Sequence, residues 1–150
     1  LEIGCGTGIH AQYLASLYPC WRTMWTGIDL AESAIKRAQS FGLNAEVADI
    51  YTYESDKKFE VFLLLDSLEH LENHDLLAQQ IKKLAAERYT IFGNVPLYAS
   101  SAHKEGAIEV SLDINTISKF LLDAGCSGHL KQRIYGVNGH PYMIFQITNE

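Results

Sequence analysis

Three glycines at alternate positions, Gly4, Gly6 and Gly8, stand where an apolar segment, "LEI", meets a helical pattern, "IHAQYLA". A Gly-x-Gly-x-Gly turn between strand and helix lets the chain reverse sharply and lets a ligand approach bare backbone. Dinucleotide phosphates call for Gly-x-Gly-x-x-Gly, with the helix N-terminus facing the pyrophosphate. Here that third position is Ile9, and Gly8 falls one residue early. The pattern speaks against a nicotinamide dehydrogenase and for a smaller ligand without phosphates. A tight turn with no ligand is the plain alternative.

Carboxylates follow at the ends of later apolar runs. Asp29 closes "MWTGID" and sits where an acid accepts hydrogen bonds from two ribose hydroxyls. Its plainer role is to cap the next helix. In "ADI", Asp49 offers an acceptor for an exocyclic amine and Ile50 a cover for an adenine face. Asp66, Glu69 and His70 crowd into "DSLEHL" after the most apolar run of the chain. Carboxylate and imidazole donors of this kind suit Mg²⁺, Mn²⁺ or Zn²⁺. They could equally line a pocket, or His70 could serve as a general base near neutral pH. Tyr98, after Pro96, is placed either to meet an acceptor or to pack. His10 reads as structural, although its helix start faces the ligand. His74, His129 and His140 read as surface residues, and Trp21 and Trp25 as core or edge packing.

These residues need a scaffold, and the patterning supplies one. Strands are expected at Leu1–Ile3, Met24–Leu30, Asn44–Ile50, Phe59–Asp66 and Tyr89–Pro96. Helices are expected from Ile9 to Leu17, Ala31 to Ser40, Asn73 or His74 to about Glu87 and Ile114 to Ala124. Asp113 reads as an N-cap, and Gly42 and Gly125 as helix stops. The two last runs, "HLKQRIYGV" and "YMIFQIT", have only "NGHP" between them and should pair antiparallel. Alternation of this kind gives an α/β, mostly parallel sheet with helices on both faces. Ligands bind such sheets at the carboxyl ends of strands, where every motif above falls.

Composition narrows the function. The 150 residues carry a formal net charge of −6, and their Lys and Arg are scattered without a stripe. Nucleic-acid binding needs such a stripe to displace counterions, so nucleic acid is not an expected partner. No apolar run nears the roughly 18 residues of a membrane span. Three widely spaced cysteines, with no CxxC pair, fit reduced thiols in a cytoplasmic protein.

Together, "LEIGCGTG", "GIDLAESAIKRAQ", "ADI" and "FEVFLLLDSLEHLEN" resemble the class I S-adenosylmethionine-dependent methyltransferases, and "EHL" resembles their ubiquinone-type subgroup. The resemblance runs through "FLLDAGC" to the closing strands. It implies a three-layer Rossmann-like fold of seven strands, as a single methyltransferase domain over residues 1–150 that lacks its N-terminal segment. It implies S-adenosyl-L-methionine as cofactor. Glu2, Gly4, Cys5, Gly6 and Gly8 would surround the methionine moiety, and Asp29 with Leu30 would meet the ribose. Asp49 and Ile50 would lie at the adenine and Asp66 near the methionine end, while Glu69 and His70 are the catalytic candidates. No metal is assigned, although the small-RNA 3′-end methyltransferases look similar in placing two carboxylates and a His here as metal ligands, with a further downstream His whose place His103 could take. "LAAERYT" stands where relatives carry a "PGG"-like turn. The expected acceptor is a small molecule. A cofactor-binding module without turnover remains the reading from a different class.

Overall fold

The computed structural model describes residues 1–97, 112–137 and 140–149. Among these, seven strands form a mixed sheet, mostly parallel with an antiparallel C-terminal pair. The chain divides into two compact units, residues 1–54 and 55–150.

The first unit runs β1 (Glu2–Ile3), α1 (Ile9–Leu17), α2 (Trp21–Met24), β2 (Gly27–Asp29), α3 (Glu32–Ser40) and β3 (Ala45–Val47). Its strands are parallel in the order β3-β2-β1, with Ile3 opposite Ile28 and Asp29 opposite Val47. Strand β2 is shorter than the expected Met24–Leu30. Trp21–Met24 closes a helical turn instead, and the Trp25 N–H donates to the Trp21 carbonyl at 3.0 Å. Cys5, Ala11, Trp25, Ile35, Ala38, Leu43 and Ala45 form the core of this unit, with Trp21 and Phe41 packed on it.

The second unit runs β4 (Phe59–Leu65), a 3₁₀ turn (Leu68–His70), α4 (His74–Leu84), β5 (Ala85–Pro96), α5 (Ile114–Asp123), β6 (Lys131–Val137) and β7 (His140–Thr148). Strands β4 and β5 are parallel, and β5-β7-β6 continue antiparallel. Asn73 caps α4 and Asp113 caps α5, each side chain accepting the N–H three residues on. Helix α4 stops at Leu84, short of the expected Glu87. Ala85 is already extended and β5 begins there. The helix-favouring residues of "AAER" lose to pairing with β4, whose register shifts between Phe59–Ala85 and Val61–Thr90 to absorb the extra residues. His74 is half-buried rather than a surface residue. Its Nε2 lies 3.2 Å from the Leu68 carbonyl and its ring 6.0 Å from that of Phe120.

No described helix is long and apolar enough to cross a membrane. Strand β5 depends on Gly93, where a Cβ would sit 2.4 Å from Phe145 Cζ and 2.8 Å from the Leu64 carbonyl oxygen. The second atom is backbone and cannot rotate away. Gly93→Ala should therefore destabilise the protein by about 1–3 kcal/mol, the usual cost of overpacking. Urea denaturation reads this, and an unchanged midpoint would show that the strands part freely at this point.

Candidate functional site

The site grows from the carboxyl edge of β1, β2 and β3. Strand β1 ends at Ile3, and Gly4, Gly6 and Gly8 then take φ values of 72°, 53° and 70°. Three left-handed residues in five turn the chain back into α1 without an intervening loop. The Gly4 and Cys5 N–H groups both donate to the Ile28 carbonyl, at 2.9 and 3.0 Å, which pins the start of the elbow to β2.

The glycines do different work. A Cβ on Gly8 would lie 2.6 Å from Leu43 Cδ1, so this glycine lets α1 pack on the core of its own unit. A Cβ on Gly6 would meet nothing within 4 Å. Gly6 thus borders open space, and its bare backbone is what a ligand would meet there.

Asp29 holds that backbone. Its Oδ2 accepts the Gly6 N–H at 2.8 Å, and its Oδ1 accepts the Ala31 N–H at 2.8 Å. The Asp29 carbonyl accepts the Ala48 N–H at 3.1 Å, which brings the segment carrying Asp49 beside it. A carboxylate has about four acceptor positions. Two are used, so two hydroxyls could still be accepted. One Asp29 oxygen thus meets the chain at Ala31, just before α3, and the other meets the elbow at Gly6. Asp49 accepts the Tyr51 N–H at 2.9 Å and is half-buried. Leu30, beside Asp29, is 72% exposed and offers an open apolar surface, whereas Ile50 is 4% exposed and offers almost none.

Glu2 and Cys5 turn inward. Glu2 is 1% exposed; its Oε2 accepts the Trp25 indole N–H at 2.7 Å, and its Oε1 lies 3.1 Å from His10 Nδ1. Its carboxylate secures the elbow from beneath. The sequence carried no sign of this, because the indole arrives 23 residues later. The Cys5 thiol is buried, and burial together with the neighbouring Glu2 and Asp29 charges pushes it up to about 12.

The second unit carries the other candidates. Asp66 follows β4 with φ +49°, in the left-handed region that non-glycine residues seldom adopt. Asn94, at the end of β5, donates from Nδ2 to Asp66 Oδ1 at 2.7 Å, and the Asp66 N–H donates to the Asn94 carbonyl at 3.2 Å. Asn94 is not among the sequence candidates; a lone polar residue in the apolar run "IFGNVP" is the available sign. His70 is exposed, while Glu69 is 2% exposed and belongs to the interior. Among the described residues no group of three or more His, Cys, Asp and Glu side chains could hold a metal ion. His103 and Tyr98 lie outside the described residues.

A profile of the family described as "Methyltransferase domain" matches residues 1–87. The probable (S)-tetrahydroprotoberberine N-methyltransferase 2 of Papaver bracteatum is 29% identical over 135 residues, covering 87% of this chain and 37% of that protein. The (S)-coclaurine N-methyltransferase of Papaver somniferum is 28% identical over 90 residues, covering 55% of this chain and 25% of that protein. The chain thus spans at most a little over a third of these relatives. Among solved structures, the magnesium protoporphyrin IX methyltransferase of Synechocystis PCC 6803 with bound SAH superposes with a TM-score of 0.76 at 17% identity. It covers 99% of this chain and 72% of that one. The N-methyltransferase NodS of Bradyrhizobium japonicum WM9 gives 0.71 at 20%, covering 99% and 83%. At such identities the superpositions establish a shared fold.

The cysteines give a direct check on which side chains the elbow exposes. Cys20 is exposed, whereas Cys5 and Cys126 are buried, with thiols pushed up by burial to about 12 and about 11. Iodoacetamide at pH 8 should label Cys20 alone in the native protein and all three cysteines after denaturation. Native labelling of Cys5, seen by peptide mass spectrometry, would show its side chain facing the open side of the turn.

Proposed function

The chain belongs to the methyltransferase-domain family, and from that premise we propose that it carries the cofactor-binding core of an S-adenosylmethionine-dependent methyltransferase acting on a small molecule. One observation carries the reading: the backbone at Gly6 borders open space and is tied by its N–H to the Asp29 carboxylate. A ligand with an amino-acid tail and a ribose fits those two features. The elbow would receive the tail at Gly4–Gly8, and Asp29 would accept the ribose hydroxyls beside the exposed Leu30. Asp49 would accept the amine of the base. Ile50 would contribute beneath this surface through packing, and Asp66 belongs to the tail end by its place in the family pattern.

When bound, S-adenosylmethionine supplies a methyl group already activated on a positive sulfur. The chain's task is therefore alignment rather than activation. A nitrogen acceptor is favoured because the curated relatives are named N-methyltransferases. An amine acceptor would have to lose its proton before its lone pair could take up the methyl group. His70 is exposed on the 3₁₀ turn after β4 and is the proposed proton acceptor. Glu69, 2% exposed in the same turn, is the second catalytic candidate. The dispersed cations support a small acceptor over nucleic acid, and three free cysteines support a reducing compartment such as the cytoplasm.

Calorimetry with S-adenosylmethionine and S-adenosylhomocysteine tests this. The wild-type protein should bind both. Gly6→Val should abolish binding, because its side chain enters the open space, while circular dichroism stays that of a folded protein. Asp29→Ala should weaken binding by about 1–3 kcal/mol through unpaired hydroxyls and a loosened Gly6 N–H. Absence of wild-type binding at millimolar ligand would refute the cofactor assignment. Full affinity in Asp29→Ala would remove that residue from the site.

A further inference from the structure

The Asp66–Asn94 pair is built for more than closing a loop. Strands β4 and β5 are parallel with Leu65 opposite Asn94, so their carboxyl ends lie together. The chain then turns through Asp66, the one non-glycine residue with positive φ among the described residues. Such a conformation is disfavoured and persists where the surroundings enforce it. Two hydrogen bonds enforce it here, one from the Asp66 N–H to the Asn94 carbonyl and one from Asn94 Nδ2 to Asp66 Oδ1.

The nature of the second donor matters. A Lys or Arg in place of Asn94 would neutralise the carboxylate. A side-chain amide fixes one oxygen and leaves the charge intact. Asp66 is exposed, and its Oδ2 has no partner among the described residues, nor does any described cation pair with it. Asn94 is half-buried, so its amide is held by the strand while the carboxylate faces outward. An oriented, charged and half-satisfied carboxylate suits an N–H donor that is itself cationic.

We propose that Asn94 is a positioning residue, which holds the Asp66 carboxylate to receive a protonated amine. That amine has two possible sources in the methyltransferase reading on which this inference rests, the α-ammonium of the cofactor's tail or the ammonium of an amine acceptor. The chemistry is the same in both. Asn94 acts through Asp66, so removing it should matter only while Asp66 is present.

The experiment is a double-mutant cycle read by calorimetry. Wild type, Asn94→Ala, Asp66→Ala and the double variant are titrated with S-adenosylhomocysteine and with its analogue lacking the amino group. Each is titrated again with (S)-coclaurine at saturating S-adenosylhomocysteine. Asn94→Ala should weaken binding in one arm by about tenfold, as expected for a hydrogen bond to a charged group. It should add nothing in the Asp66→Ala background. A loss seen with S-adenosylhomocysteine and absent with the deaminated analogue assigns the amine to the cofactor. A loss confined to (S)-coclaurine assigns it to the acceptor. Wild-type binding that Asn94→Ala leaves unchanged in both arms overturns the proposal alone. So does a loss that persists in full without Asp66, since Asn94 would then act by itself. A wild-type protein that binds no S-adenosylhomocysteine overturns the methyltransferase reading and the proposal with it.

Discussion

The hydrogen bond from the Gly6 N–H to Asp29 is the constraint on which the first unit's site depends. Three glycines with positive φ make the sharpest part of the chain also its least restrained. Left alone, such an elbow would lose much entropy on meeting a ligand. The Asp29 carboxylate removes that freedom in advance and fixes the elbow against the end of β2. The same carboxylate keeps acceptor capacity for hydroxyls, so the group that shapes the turn also offers a contact. From below, the buried Glu2 ties Trp25 and His10 to β1. The elbow is thus held on two sides and left open at Gly6.

That division explains how far the sequence could be read. Gly4, Gly6, Gly8 and Asp29 were legible because each sits at a boundary between an apolar run and a helical pattern. The partners were not. Gly6 and Asp29 are 23 residues apart, as are Glu2 and Trp25, and only the parallel pairing of β1 with β2 brings them together. Glu2 therefore read as a ligand contact, although its carboxylate is consumed inside. The start of β5 was hidden for a related reason. Ala85, Ala86 and Glu87 favour helix locally, and a register shift against β4 decides otherwise. Asn94 escaped because its significance lies in a hydrogen bond to Asp66 from a neighbouring strand. The antiparallel ending was legible, since "NGHP" is too short for a crossover.

Methyl transfer from an activated sulfonium asks for alignment and for a neutral lone pair on the acceptor. In the first unit the Gly6 backbone borders open space and its N–H is held by Asp29. The second supplies an oriented carboxylate, Asp66, and an exposed imidazole, His70, on consecutive segments after β4. Few of these side chains read the identity of an acceptor. The family is therefore legible in this chain and the acceptor is not.

The central claim is that ligand meets backbone at the glycine elbow beside Asp29. Amide ¹H–¹⁵N spectra test it most directly. Adding S-adenosylhomocysteine should move the signals of Gly4 to Gly8 and of Asp29 to Ala31 more than any others in the first unit. Saturable binding that leaves those amides in place, and shifts a different surface instead, would contradict the account.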